Sequence, residues 1–242
     1  MNKTLLQGAL AALAIALAPH AAAGNLDNLA SLSDSEFRTV TEDLGAALSY
    51  KPLLSITAQG VTGFDIGVAV SGSDVSRSAA ALTRSGASLG TGDTLFTTRL
   101  HVHKGLPLGF DIGGFVAHVP ALGTNLAGAE LRYALIGGNA ALPAVGVRAA
   151  YTRMSGSDAL ALSTRSLDLG IAKGFVLVTP YAGVGRVWVD GTPQVGTLAP
   201  QSLSLGKVYA GARMGLGLLD LAFEVDKTGD ISTWGLKLAL NW

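Results

Sequence analysis

The stretch "ISTWGLKLALNW" at residues 231–242 decides the fold prediction for this chain. Every second residue from Trp234 to Trp242 is apolar, and small or polar residues such as Lys237 stand between them. A period of two indicates a β-strand with one oily face and one polar face. The chain therefore ends on a strand whose two faces meet different surroundings.

The chain has a high content of hydrophobic residues, although its main part contains no long apolar run. Of its 242 residues, 49% are hydrophobic and 14% are charged, and the mean hydropathy is +0.42. The 17 basic and 17 acidic side chains cancel, so we expect no binding of nucleic acid. The absence of cysteine excludes disulfides and thiolate metal sites. The 32 glycines favour turns and curved strands over helices.

The first 23 residues have the layout of a secretory signal peptide, with Lys3, an apolar run over 10–18 and small residues at 21–23. We expect cleavage after Ala23, because the run is too short to span a hydrocarbon core of ~30 Å as a helix. No later window holds the ~18 consecutive apolar residues of a membrane helix. An outer-membrane β-barrel explains an exported chain of this hydropathy, because its lipid face uses alternate residues only.

Alternation with a period of two continues from Gly60 to the end and predicts ten strands. They lie at about 64–71, 94–104, 108–118, 126–136, 143–153, 161–172, 177–190, 205–217, 219–226 and 231–242. The seventh is ambiguous, since Val184, Val187 and Trp188 populate both faces. The fold prediction is an all-β, closed, antiparallel, up-and-down transmembrane barrel over 60–242, with eight or twelve strands as alternatives.

The connections predict which end of the barrel faces outward. The odd-numbered links, at 72–93, 119–125, 154–160, 191–204 and 227–231, are read as the longer set, and the even-numbered links as mostly short. Long external loops and short periplasmic turns are typical of outer-membrane barrels. The first odd-numbered link, 72–93, is therefore the main candidate for surface contact.

The segment before the barrel, 24–59, contains one predicted amphipathic helix at about 33–48. Ser33 and Glu36 form a capping box. The helix has a single apolar stripe, formed by Phe37, Val40, Leu44 and Leu48. We expect it on the periplasmic side, where it could lie at the barrel mouth, enter the lumen as a plug or rest on the adjacent leaflet.

The charged residues of the predicted strands fall mainly opposite the oily faces, which places them in the lumen. If the seventh strand points Arg186 inward, the set is Asp65, Arg99, Asp111, Glu130, Arg132, Arg148, Asp168, Arg186, Lys207, Arg213, Asp220, Glu224 and Lys237. Opposite charges can pair across a narrow interior. Because small barrels are filled by their own side chains, we predict a mostly filled lumen and no wide diffusion pore.

Few residues suggest chemistry. His101 and His103 face the same side of a strand, but neither a third metal ligand nor an orienting serine or carboxylate is visible nearby in the sequence. The stretch from Gly86 to Gly90 spells a nucleophile elbow without the strand and helix that such an elbow needs. Phosphate-loop and dinucleotide fingerprints are also missing. We expect no cofactor or metal and structural histidines.

The last strand resembles the C-terminal signature strand of Gram-negative outer-membrane proteins, in which the terminal residue is more commonly phenylalanine. The resemblance implies recognition by the barrel assembly machinery through Leu236, Leu238, Leu240 and Trp242. Longer stretches are similar to a group of uncharacterised proteobacterial outer-membrane barrel proteins: "GFDIG" at 63–67, "KGLPLGFDIGGF" at 104–115, "GAELRYALIGG" at 128–138 and "TPYAGVGRVWV" at 179–189. The resemblance implies an outer-membrane location and brings no particular activity. We expect a monomer surrounded by outer-membrane lipid.

The sequence leaves three functional hypotheses. The barrel has a structural or surface-contact role, or it forms a narrow path for small solutes, which would make it porin-like. The alternative is a lipid-modifying barrel enzyme that uses His101 or His103.

Overall fold

The computed structural model describes residues 24–89, 92–139 and 141–242, so the predicted signal peptide lies outside the described residues. Within them the chain forms ten strands: β1 Phe64–Asp74, β2 Thr94–Gly105, β3 Phe110–Val119, β4 Thr124–Gly137, β5 Ala144–Ser155, β6 Leu160–Ala172, β7 Val178–Pro193, β8 Gln201–Leu216, β9 Leu219–Thr228 and β10 Ile231–Asn241. Two α-helices, α1 Asp34–Leu48 and α2 Ala79–Ser85, accompany single 3-10 turns at Leu29–Ser31, Pro107–Gly109 and Pro120–Leu122. None of the described helices is long and apolar enough to cross a membrane.

The ten strands form one closed sheet. Each strand pairs antiparallel with its neighbours in sequence, and β1 pairs with β10 to complete the circle. At the seam the pairing runs from Asp65 opposite Asn241 to Ser73 opposite Thr233. The predicted closed antiparallel barrel of ten strands is therefore confirmed.

The first and last strands define the two ends of the barrel. The lower end is where β1 begins and β10 ends, and the upper end is opposite. The lower connections are 106–109, 138–143, 173–177 and 217–218, and the upper ones are 75–93, 120–123, 156–159, 194–200 and 229–230. Only 75–93 is much longer than the lower set. The predicted difference in length is therefore largely confined to 75–93, because strands such as β7 and β8 continue to 16 residues each.

The outward face of the barrel is apolar and ends in aromatic side chains. On β10, Leu236 is 50% exposed and the neighbouring Lys237 is 2% exposed, as the alternation predicts. Near the lower end the outward aromatic residues are Phe64, Phe110, Tyr133 and Trp242, and near the upper end they are Phe96, Tyr151, Trp188 and Trp234. An apolar band between two aromatic girdles is typical of a barrel surrounded by lipid.

Residues 24–63 run through the lumen from the upper end to the lower end, and we call them the plug segment. At the upper end, the Gly24 amide donates to the Pro120 carbonyl over 3.0 Å. At the lower end, the Gly105 amide donates to the Gly63 carbonyl, also over 3.0 Å. Of the three positions that the sequence left open for the predicted helix, the structure selects the lumen.

Helix α1 lies in the upper half of the lumen. It begins with the predicted capping box of Ser33 and Glu36. Its C-terminal half lies against β7, where a Cβ added to Gly45 would be within 2.5 Å of the Val189 methyl groups. We expected α1 near the end of the barrel where β1 begins, which is the lower end. That position is wrong, because residues 49–63 separate α1 from β1 and cross the lower half of the lumen.

The upper half of the lumen is an apolar core built around α1. The helix buries its predicted stripe, Phe37, Val40, Leu44 and Leu48. The inward residues that surround it are Leu95, Phe115, Val119, Leu126, Met154, Leu160, Leu162, Val187, Val189, Leu203, Leu205 and Ile231. A buried Leu or Phe side chain contributes roughly 1.5–3 kcal/mol, so this packing holds the helix inside the wall.

A disulfide across the helix and the wall tests this position, because the native chain has no cysteine. A Cβ added to Gly191 would lie 3.4 Å from the Cβ of Thr41, close to the ~3.8 Å of a disulfide. We expect the Thr41→Cys/Gly191→Cys variant to cross-link on mild oxidation in detergent micelles, seen as faster migration on a non-reducing gel. Thr41→Cys/Gly215→Cys is the matched control, since Gly215 lies near the lower end of β8, and equal cross-linking in both pairs would contradict the placement of α1.

Candidate functional site

Below α1 the lumen is filled by charged side chains of both signs. Among the described residues they are Lys51, Arg99, Arg132, Arg148, Lys207, Arg213 and Lys237, opposed by Asp65, Asp111, Glu130, Asp168, Asp220, Glu224 and Asp226. All are buried except Arg213, which is half-buried. Seven positive groups therefore meet seven negative groups in a space that is largely closed to solvent. Such pairing is the condition under which buried charges are tolerated.

Glu130 is the most connected carboxylate of this network. Its Oε1 lies 3.1 Å from Arg132 Nε, and its Oε2 lies 3.0 Å from Arg148 Nε. Arg148 continues to Asp168 over 3.7 Å, and Asp168 lies 3.3 Å from Lys207 Nζ. The chain of contacts runs across β4, β5, β6 and β8, so the network ties together neighbouring parts of the wall.

A second group of contacts lies on the β1 and β10 side. Asp65 accepts from Lys237 and lies 3.0 Å from His103 Nδ1. Closer to α1, Lys51 of the plug segment donates to Asp226 of β9 over 2.7 Å. This last ion pair joins the plug segment directly to the wall.

Basic side chains of the wall also donate to the backbone of the plug segment. Arg148 Nη2 donates to the Leu54 carbonyl over 3.1 Å, and Arg132 Nη1 donates to the Ser55 carbonyl over 2.7 Å. Lys207 reaches the Tyr50 carbonyl over 3.4 Å. These contacts satisfy carbonyl groups that have no partner in a helix or sheet.

The predicted inward position of Arg186 is wrong. Arg186 is exposed on the outward face of β7, and Val187 and Val189 point into the lumen instead. The physical reason lies in Gly183 and Gly185, which occupy the inward positions below them. A Cβ at Gly185 would lie 2.2 Å from Asp168 Oδ1, and one at Gly183 would lie 2.4 Å from the Tyr209 ring.

The other strand residues of the predicted network all point inward: Asp65, Arg99, Asp111, Glu130, Arg132, Arg148, Asp168, Lys207, Arg213, Asp220, Glu224 and Lys237. Sequence reasoning missed Lys51, because it lies on the plug segment outside any alternating strand. It also left out Asp226, although the alternation of β9 places that residue on the polar face. The two residues pair with each other.

His101 and His103 stack with their ring centroids 5.7 Å apart, and both side chains are 0% exposed. Besides Asp65, the neighbours of His103 Nε2 are Tyr50 Oη at 3.4 Å and Glu130 Oε1 at 3.4 Å. The orienting carboxylate that was not visible in the local sequence is therefore supplied by another strand. Over the described parts of the chain, no group of three or more His, Cys, Asp or Glu side chains has the arrangement of a metal site.

The stretch that spells a nucleophile elbow does not have elbow geometry. Gly86 ends helix α2 in the left-handed region with φ of 107°, whereas an elbow serine precedes a helix. The Ser88 amide donates to the Ala121 carbonyl in the neighbouring upper connection. This stretch therefore holds the upper connections together.

Ion pairs join the first upper connection to α1 at the upper end of the barrel. Arg84 of α2 contacts Glu36 of α1, and Arg77 contacts Asp230 and, at 3.4 Å, Glu42. The Ser33 backbone amide, together with Arg84, lowers the pKa of Glu36 from 4.5 to about 2. The connection between β1 and β2 is thus attached to the plug segment.

The comparisons with known proteins concern architecture. No family model and no curated protein matches the chain. Among solved structures it is similar to the KdgM porin, at 11% identity and a TM-score of 0.39, covering 74% of this chain and 99% of that one. It is also similar to LpxR from Salmonella typhimurium (11%, TM-score 0.37, covering 72% and 99%) and to Ail of Yersinia pestis in complex with sucrose octasulfate (12%, 0.32, covering 74% and 97%). No ligand or activity follows from this likeness.

The network predicts a large stability loss when its central carboxylate is neutralised. Glu130→Gln leaves Arg132 and Arg148 buried without their shared partner, so we expect the free energy of unfolding to fall by about 3 kcal/mol. Guanidinium titration in detergent micelles measures the change. Asp158→Asn removes one exposed carboxylate and is the control, expected within about 0.5 kcal/mol of wild type. Equal losses in both variants would show that Glu130 contributes nothing special.

The lowered pKa of Glu36 predicts a pH-dependent contribution from the capping box. Its pKa is about 2 in the folded protein and 4.5 ordinarily, so ionised Glu36 stabilises the fold above pH 4.5 and loses this effect as the pH falls toward 2. At pH 6 we expect the wild type to unfold at a higher denaturant concentration than the Glu36→Gln variant. Near pH 2 we expect this difference to disappear. A difference that is constant over this range would contradict the assignment.

Proposed function

We propose that this protein is a plugged outer-membrane barrel with a structural or surface-contact role, and not a path for solutes. The observation that carries the proposal is the plug segment, which occupies the lumen from Gly24 to Gly63 and is bonded to the wall along its length. With the lumen filled, partners reach only the upper surface and the outward face.

The position in a membrane is supported by the outward face. It carries exposed leucine, valine and phenylalanine side chains in a band that is flanked by aromatic residues at both ends. Burying such a band in lipid removes a large apolar area from water, and the closed sheet leaves no backbone edge unpaired in the hydrocarbon.

The upper surface supports a contact role because it is folded. In the first connection, Val75 donates to the Asp93 carbonyl, and α2 buries Leu82 in the main core. The ion pairs of Arg77 and Arg84 hold this connection to α1. A surface with few internal degrees of freedom loses little entropy on meeting a partner.

The enzyme hypothesis has one observation in its favour. Asp65 lies 3.0 Å from His103 Nδ1, which is the orientation that a catalytic imidazole needs. However, both histidines are buried inside the wall behind Tyr50, facing away from the outward surface where lipid would lie. We therefore favour a structural role for these histidines.

Single-channel recording in planar bilayers tests the proposal. We expect the full-length chain to give no stepwise conductance. The same recording on Thr41→Cys/Gly191→Cys, oxidised and reduced, separates a closed barrel from a gated one, with Thr41→Cys alone as control. Steps that appear in the reduced pair and disappear on oxidation would show that the plug segment moves and that the protein is a channel.

A further inference from the structure

Three arginines stand on the outward face of the barrel, between its upper end and the middle of β7. They are Arg153 on β5, Arg165 on β6 and Arg186 on β7, and all three are exposed. We call them the arginine patch. Outward cations are costly on a lipid-facing surface unless something satisfies them, because hydrocarbon offers no partner for a guanidinium group.

The strand register brings the three arginines together on consecutive strands. Arg165 stands opposite Trp188, and Arg186 stands opposite Leu167, the next outward residue below Arg165 on β6. Arg153 stands opposite Ser163, the next outward residue above Arg165. The three guanidinium groups therefore follow a diagonal across three adjacent strands.

The patch keeps an excess of positive charge. Arg165 lies 2.6 Å from Asp190, and its side chain is nevertheless 62% exposed. Arg186 Nη1 donates to Ser204 Oγ over 3.4 Å. Among the described residues, neither Arg153 nor Arg186 has a carboxylate within 4.0 Å, so three guanidinium groups and one carboxylate leave a net charge of +2.

The surroundings of the patch are those of a membrane interface. Tyr151 and Trp188 of the upper aromatic girdle lie beside it, and the outward residues below it, Leu167 and Val184, are apolar. Gly206 stands opposite Arg186 on β8, and a Cβ added there would meet no atom within 4 Å. This leaves open space beside the Arg186 side chain.

We propose that the arginine patch binds the phosphate group of an anionic lipid in the upper leaflet, with the acyl chains lying along the apolar residues below. Guanidinium groups match phosphate oxygens in charge and geometry. The lipid is favoured over a free phosphate because apolar wall continues directly beneath the cations. The inference rests on the proposed membrane position.

Fluorescence quenching by brominated lipid tests the site, because Trp188 lies within the patch. In a Trp234→Phe/Trp242→Phe background Trp188 is the single tryptophan of the chain. The full-length protein is reconstituted into bilayers of phosphatidylcholine in which either brominated phosphatidylglycerol or brominated phosphatidylcholine is present at equal mole fraction. We expect phosphatidylglycerol to bind next to Trp188 about fivefold more strongly than phosphatidylcholine does.

Variants assign the preference to the patch. We expect the preference for the anionic lipid to fall in each of three single variants, Arg153→Gln, Arg165→Gln and Arg186→Gln, which are made singly to preserve folding. The triple variant abolishes the preference. Lys227→Gln on β9 is the matched control and leaves it unchanged, because Lys227 is an outward cation opposite Val208 and Ser232, away from Trp188. Folding is checked by gel mobility before and after boiling.

The outcomes separate the two proposals. Quenching by neither brominated lipid would overturn the membrane position itself. Equal quenching by both lipids, or a preference that Lys227→Gln reduces as much as Arg186→Gln, would overturn the arginine patch alone. A preference that is lost when inorganic phosphate is added would show a site for free phosphate and would also overturn the lipid assignment.

Discussion

The wall of this barrel donates hydrogen bonds to the backbone of its own plug segment, and the rest of the structure depends on these bonds. Residues 49–63 cross the lumen without helix or strand, so their carbonyl groups have no regular partners. A buried carbonyl left without a donor costs about 1–3 kcal/mol. Arg132 and Arg148 supply donors to Ser55 and Leu54, and Glu130 compensates the charge that both arginines bring into the lumen.

This requirement explains why the lumen has two different halves. Helix α1 satisfies its own backbone, so the wall around it needs only to match its apolar stripe, and it does so with inward leucines and valines. The extended part of the plug segment needs donors and acceptors, and the wall around it is charged. The inward residues of the wall are therefore apolar where the plug segment is helical and charged where it is extended.

Much of the barrel could be predicted from its period of two, because one face meets a polar lumen and the other does not. The period of two does not decide the inward face of β7, because apolar residues occupy both of its faces. The inward face is the one on which glycines leave room for side chains of the neighbouring strands. Asp168 and Tyr209 from the neighbouring strands fill the space at Gly185 and Gly183, and Arg186 is left outward. The position of α1 could not be predicted, because its apolar stripe fits lipid, a barrel mouth or a lumen equally well.

Some inward glycines mark the path of the plug segment, which alternation alone does not give. A Cβ at Gly146 would lie 2.8 Å from Ile56, and one at Gly235 would lie 2.8 Å from Leu53. A lumen closed only by wall side chains would gain from larger residues at these positions, because they would fill it. At these two positions the plug segment occupies the space, whereas at Gly183 and Gly185 side chains of the wall occupy it.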